Sequence, residues 1–560
     1  MRFLLILVFG HIASTAFLQA VYFNPDQNQK FQLDRLEIQS GRLFANHLQN
    51  IPLDQGNCMH TLLKLKFEST SDDSVILNKL ILDNVENLYT NDQEKSMELR
   101  NSFRKKPILK YFYKDGSHWL SVYKKSFQLQ LDPILDLKFG KEEHNSELLF
   151  TNRRGLRFQG TVDQIISFHT DVIETQLTTP LYVEDYIKLY KSFPGAGLFK
   201  SFKSKLFTLN RAYDFLISEA SISVRIAKHV SLSLGHGRHF IGSGIRSLLL
   251  SDFATPHFYL KFNTNVWRLH YQNIFAELSP ESLGDEGNRL LPKKYMATHY
   301  LSMNLTKNWN VGLFESVVFS RAKGFELQYL NPVILYRFIE HALGSPDNVL
   351  LGFHSNLLLA KRISVYGQLM FDEFLLKEFV KQNGWWGNKY GIQAGIKYVN
   401  AFNIRNLDFQ AEFNLVRPYT YTFRDSISNY THFFQALAHP LGANFKEFIF
   451  RLHYVPHPRY QLTGQCLIYQ KGLDSSGINN GGNILLNYNT RNTDFNHTIG
   501  QGIQNQVIGL SLNFSYQVFQ RAWLDFNVHY RKNEIEKISN ASVWFSGGFR
   551  MTIDKMNFDF

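Results

Sequence analysis

The chain has 560 residues, a formal charge of +12 and a composition that is 44% hydrophobic, 19% charged and 15% aromatic, with 49 Phe and 27 Tyr but only 15 Pro. That content excludes collagen, a coiled coil and general disorder. A mean hydropathy of -0.23 and the lack of a long apolar run after the first residues exclude a bundle of membrane-spanning helices, each of which needs ~20 apolar residues. A transmembrane β-barrel stays open, because its lipid-facing and lumen-facing residues cancel along every strand.

Residues 1–20 read as a secretory signal peptide: Met1-Arg2, the apolar run Phe3 to Phe9, then small residues and Leu18-Gln19-Ala20. The run breaks at Gly10-His11, too early for a membrane anchor, and the mature chain is expected to start near Val21. Its basic excess fits anionic glycans or lipid headgroups better than nucleic acid, since no basic run dominates and an exported protein seldom meets nucleic acid. Cys58 and Cys466 are too few for a disulfide framework and are expected as two free thiols.

Residues 21–133 read as a small, partly helical periplasmic unit. Leu77, Ile81, Val85 and Leu88 recur at helical spacing within 74–89, and Asn91 to Glu94 supplies a capping pattern for a second, charged helix running to Lys106. Asp132-Pro133 is the expected boundary, because Pro biases its predecessor away from helix. From 134 to 560 the period becomes two. Leu407, Phe409, Ala411, Phe413 and Leu415 alternate with Asp408, Gln410, Glu412 and Asn414, and similar runs recur through 392–398, 448–454, 460–468, 510–518, 524–530 and 541–553. A soluble β-sandwich would also alternate, but its strands average about six residues, whereas these run to about nine or more, enough for a tilted strand to cross ~25 Å of hydrocarbon. Tyr419, Tyr421, Phe423, Tyr430, Phe433 and Phe434 cluster at strand ends, where a membrane barrel carries its aromatic girdle. Phe558-Asp559-Phe560 resembles the aromatic ending of outer-membrane barrels that the barrel-assembly machinery reads, with Lys555 departing from that pattern. At about 20–25 residues per strand and connection, this region predicts an even number of strands near 16–20.

Three blocks carry a family resemblance: Gly235 to Asp252 with Phe262 to Leu278; Trp385 to Lys389; and Arg417 to Tyr421 with Tyr430 to His432 and Leu437 to Asn444. Together they resemble the capsule-assembly Wzi family, in particular its Bacteroidetes branch of gliding-motility RemB-type proteins. The resemblance covers residues 160–460 and implies an outer-membrane antiparallel β-barrel of about 18 strands with a periplasmic helical unit. It further implies that surface polysaccharide is held at the cell surface without catalysis or cofactor. The implied partners are outer-membrane lipid, the polysaccharide, the assembly machinery, and gliding or secretion proteins. A passive porin, a structural partner of such an assembly, and a lipid or glycan hydrolase are the alternatives.

The glycines at 235, 237, 242 and 244 surround Arg238 and His239 without the spacing of a phosphate-binding loop. Their smallness suits a bent or inward-folded strand in a crowded lumen, which Arg238, Arg246 and Asp252 would line either as a ligand site or as an ion-pair network. His236 and His239, with His229 nearby, lack a local carboxylate or Cys and face opposite sides of a strand, so no metal is expected. No G-x-S-x-G turn marks a hydrolase nucleophile. Trp385 and Trp386, beside Asn388 and Lys389, suit a pyranose ring, but the interface anchor of a barrel is the favoured role. Arg417, Tyr419, Tyr421, His432, His439 and Asn444 are expected in a turn against the rim or lumen, with sugar contact the second option.

Overall fold

The computed structural model describes residues 22–560 apart from 46, 69–76, 79, 82–117, 125, 164, 205–208, 284–288, 322–323, 334 and 345–346. The expected signal segment and most of the two helices expected over 74–106 lie outside the described residues.

Among the described residues eighteen antiparallel strands close into one wall. They are β1 (Phe127–Glu142), β2 (Leu148–Val162), β3 (Ile166–Leu177), β4 (Leu209–Ala227), β5 (Val230–Gly237) and β6 (His257–Val266). The wall continues with β7 (Leu269–Leu278), β8 (Lys294–Asn304), β9 (Trp309–Phe319), β10 (Asn348–Leu359), β11 (Ile363–Glu373) and β12 (Lys389–Tyr398). It ends with β13 (Leu407–Val416), β14 (Phe445–His457), β15 (Tyr460–Leu473), β16 (Ile503–Phe519), β17 (Ala522–Ile535) and β18 (Ile538–Met551). Each strand pairs with the next, and β18 closes on β1 from Met551 opposite Leu135 to Trp544 opposite Glu142. Connections at one end are short turns of two to eight residues, while those at the other run to 31 residues. In outer-membrane barrels short turns are periplasmic and long loops extracellular, which orients the molecule.

The two faces of the wall follow the alternation. On β13, Gln410, Glu412 and Asn414 are buried toward the lumen, whereas Phe413 points outward and lies tilted against Phe448 of β14, with ring centroids 4.8 Å apart. Phe448, Phe450 and Leu452 are exposed on the same outer belt. An apolar exterior with a polar interior is the inversion that hydrocarbon imposes on a barrel.

The lumen is filled from both ends. Helix α1 (Gln27–Ser40) starts at a capping box in which Asp26 accepts from Gln29 N and Gln29 returns the bond, and it ends at Gly41 in the left-handed conformation. Its side chains are mostly polar because its surroundings are the polar lumen: Arg35 pairs with Asp408 at 2.5 Å and Phe31 stacks on His453 at 4.5 Å. Beyond it, His47 bonds Ser302, Asn50 bonds His270 and Asp54, just before helix α2 (Gln55–Glu68), pairs with Arg225. The N-terminal unit is thus seated in the periplasmic mouth of the barrel. Its apolar core joins Leu33 and Leu36 of α1 to Met59 and Leu62 of α2 and to Leu80 and Ile81.

Two expectations need correction. The boundary at Asp132-Pro133 falls inside β1, which starts at Phe127. Pro133 is tolerated there because the neighbour on one edge changes: the short strand Leu120–Tyr123 pairs with residues up to Leu131, and β18 takes over at Leu135. The missing N–H falls in the gap, the kind of place sheets reserve for Pro. Likewise Phe558 and Phe560 do not end the last strand. β18 stops at Met551, and residues 552–560 turn back into the lumen, where Phe560 packs against Tyr182, Tyr186 and Phe253. Of the side chains that resemble an assembly signal, Phe560 is buried in the interior cluster and Phe558 packs half-buried against it, and neither sits on the wall.

Candidate functional site

Residues 238–256, between β5 and β6, fold inward across the middle of the barrel. Phe240 and Ile241 pair with Asn50 and Ile51 of the N-terminal unit in a two-stranded ribbon, and Leu248, Leu249 and Leu250 are fully buried. Glu412 of β13 accepts from Ile245 N at 2.6 Å and Arg246 N at 3.0 Å, and also from Tyr366 Oη at 2.8 Å. The approach is so close that a Cβ on Gly244 would lie 2.4 Å from a Glu412 oxygen, and one on Gly235 would lie 2.6 Å from the Ala220 carbonyl. Gly242 lies against Gln368, whereas Gly237 has ordinary room.

This segment borders a chamber of about 550 Å³ in the lumen, with α1 on one side and residues 552–559 on another. Four of the expected site residues meet here: Arg238, His239, Arg246 and Asp252. Arg238 pairs with Glu219 and donates to the Ala254 carbonyl. Arg246 pairs with Asp559 at 3.2 Å and Glu447 at 3.4 Å. His239 is buried with neither ring nitrogen hydrogen-bonded, edge-on to Tyr259 at 4.4 Å; burial, then Lys261 and His257, hold its pKa well below the usual histidine value. The whole lining carries ten Lys or Arg against seven Asp or Glu, and sequence reasoning missed all of them but Arg238, Arg246 and Asp252. Arg157 with Asp171 (2.6 Å) and Lys397 with Asp34 (2.6 Å) are paired, while Arg451 bonds Gln465 and lies over the Phe31 ring. Lys30 lies over the Phe240 ring at 4.1 Å, and burial lowers its pKa to about 8. Charged residues at alternate positions inside strands, such as Arg153 and Arg157 of β2, were the available signal.

The remaining expected residues gather nearer the extracellular end, and most are used up by structure. Lys389 is fully buried between Asp372 at 3.0 Å and Glu373 at 3.2 Å. Tyr421 Oη donates to the Leu248 carbonyl at 2.7 Å and Tyr419 Oη to the Asn479 carbonyl at 2.9 Å. His432 accepts from Ser279 N, and burial, then His257, keep its pKa well below the usual value. His439 bonds Glu447 at 2.7 Å; burial lowers its pKa although Glu447 opposes the shift. Asn444 ties the connection 417–444 to β15 and to the connection 474–502, bonding the Gly472 and Gln501 carbonyls and Gly500 N. Trp386 is covered on its ring by Arg491 at 3.9 Å and Tyr488 at 4.7 Å, and Arg417 donates to the Trp385 carbonyl. These aromatics lock residues 374–388 to 474–502, which leaves Trp386 little bare face for a sugar ring. The polar groups around them, Asn489, Arg424 and Asp494, are exposed.

Among the described residues no group of three or more His, Cys, Asp or Glu is arranged to hold a metal ion. No disulfide joins Cys58 to Cys466.

A closed eighteen-strand wall with a greasy exterior, a polar filled lumen and long loops on one side defines an outer-membrane β-barrel of the plugged kind, placed in a bacterial outer membrane. Among solved structures it is similar to Wzi of Escherichia coli, described as an outer-membrane protein involved in group 1 capsule assembly and a carbohydrate-binding β-barrel. The two share 13% identity over 96% of this chain and 100% of that one, with a TM-score of 0.59. OprD of Pseudomonas aeruginosa matches at 10% identity over 75% of this chain and 94% of its own, with a TM-score of 0.41, and OccAB2 of Acinetobacter baumannii at 0.39. No protein-family model and no curated protein matches the chain.

Proposed function

We propose that this protein holds surface polysaccharide at the extracellular end of a sealed barrel and performs no catalytic chemistry. The observation that carries this reading is the occupied lumen: the N-terminal unit, residues 238–256 and residues 552–560 meet inside it, which speaks against free passage through the wall. What is left for the outside is a surface of loops held rigid by buried hydrogen bonds, and rigidity lowers the entropy lost when a flexible glycan is bound. Exposed amide, guanidinium and carboxylate groups at Asn489, Arg424 and Asp494 supply hydrogen bonds to sugar hydroxyls. The likeness in fold to a carbohydrate-binding barrel supports the same reading.

Purified full-length protein incubated with exopolysaccharide from its own host tests the proposal. Saturable retention is expected, weakened by Asn489→Ala combined with Arg424→Ala; absence of retention for every native glycan contradicts it. Trp386→Ala is expected to act through the loops, weakening retention while also loosening residues 474–502 in hydrogen exchange. A role in surface movement, which the sequence resemblance implies, would appear as lost spreading in a deletion strain. Turnover of lipid or glycan by the purified protein would replace this reading with a hydrolase.

A further inference from the structure

The outer face of the wall is apolar along most strands; the exposed Arg154–Glu174 pair of β2 and β3 is one polar break, and β7, β8 and β9 carry another that is buried. There Asn273, His299 and Glu315 stand directly opposite one another in register. The parity of these strands turns all three outward, because His270, Ser302 and Asn310 on the alternate positions meet Asn50, His47 and Gln49 in the lumen. The same register continues into Phe262 on one side and into Leu351 and Phe371 on the other. A polar row therefore interrupts the lipid-facing belt at the belt's own level.

It is not bare. The described residues between β9 and β10 (320–321, 324–333, 335–344 and 347) lie down over the outside of the wall instead of projecting from its rim. Tyr329, Tyr336 and Ile339 pack on the outward side chains Phe275, Ala297, Val317 and Phe319. Tyr336 stacks on His299 at 4.0 Å, and Arg337 N donates to Glu315. The feet of the segment are joined by the bidentate pair of Arg321 with Asp347 at 2.9 and 2.6 Å. His299 Nε2, Glu315 Oε2 and Tyr336 Oη are buried with no hydrogen-bond partner, so ring stacking and apolar packing supply most of the grip. The far side of the segment presents Leu327, Val333, Leu335 and Phe338, of which Val333 is 83% and Phe338 67% exposed. Water would disfavour such a surface on an extracellular loop.

We propose that this segment forms a flap seated in the outer leaflet, whose outward side chains contact lipid acyl chains while its inner side keeps Asn273, His299 and Glu315 out of the hydrocarbon. The choice of acyl chains as occupant rests on continuity: Leu301, Leu313 and Leu351, exposed on the same strands, belong to the lipid-facing belt that the flap extends. The flap thus gives one sector of the barrel a second, loop-derived membrane surface, with an ionisable pair hidden beneath it.

Nitroxide labels at Val333→Cys and Phe338→Cys test this, in the full chain with Cys58 and Cys466 changed to Ala and reconstituted in phospholipid vesicles. Leu313→Cys serves as the lipid reference and Lys307→Cys, in a periplasmic turn, as the water reference. Labels on the flap are expected to match Leu313→Cys, relaxed by oxygen and shielded from a nickel chelate. Nickel accessibility equal to that of Lys307→Cys would make the segment an aqueous loop and overturn the proposal. Shielding from both reagents would also overturn it, in favour of a protein partner or a second copy. Retained heat-modifiable migration of each variant certifies that the barrel is folded.

Discussion

At β13 the wall has one polar side and one apolar side, and each meets its natural medium: Glu412 faces the packed lumen and Phe413 the lipid. At β7 to β9 both sides carry polar groups, and the outer ones are covered by the connection that follows β9. The contrast teaches that alternation identifies which residues share a face, while the medium that face meets depends on what folds over it. A residue's neighbours across the sheet are local information; its cover is not.

Substitutions on the two faces of β13 sharpen the comparison. Glu412→Ala should have the largest effect, about 3–5 kcal/mol, because removing one partner from a buried network strands the Ile245 and Arg246 amides and the Tyr366 hydroxyl. The midpoint of urea unfolding in lipid vesicles reads it. Phe413→Arg, on the lipid side, should cost ~2–4 kcal/mol if it lies near the midplane and reduce the yield of heat-modifiable barrel. If Glu412→Ala proved silent, the lumen at this strand would be wet and open, and the contrast with the outer face would dissolve.

Smaller effects follow from acid. His239, His432 and His439, all outside the wall strands, are kept neutral chiefly by burial. As pH falls below about 6.5 the unfolded chain takes up protons that the folded chain does not, so stability should fall toward acid and be flat above that point. His239→Phe removes one contributor without removing a hydrogen bond, since neither ring nitrogen has a partner. It should leave stability at pH 7 within about 1 kcal/mol and reduce the acid slope; an unchanged slope would mean that this histidine is protonated or wet in the folded state.

Much of the wall was legible. On β13 every inward residue was separable from every outward one by period alone, because both media act on that strand without interruption. The inward fold of residues 238–256 was legible as glycines that permit close approach, though only Gly235 and Gly244 press against backbone or a carboxylate oxygen. Three features were not. Helix α1 lacks an apolar stripe because it docks in a polar lumen, so only its caps at Asp26 and Gly41 announce it. Residues 552–560 continue the aromatic and polar mixture of a strand, and nothing local says that Asp559 will meet Arg246 inside. At the site, sugar contact stayed open for buried Lys389 and Tyr421 because motif spacing carries no sign of the carboxylates and carbonyls that use them up. Lys30 and Arg451 were missed because their shared chamber is assembled from opposite ends of the chain.

The central claim is a wall whose interior is closed by its own chain, and single-channel recording in a planar bilayer tests it most directly. The full-length protein should insert without steady conductance, while a variant lacking the N-terminal unit, residues 239–251 and the segment 552–560 should open a channel. A stable open level in the unaltered protein would contradict the sealed lumen and, with it, the case for a surface-binding barrel over a pore.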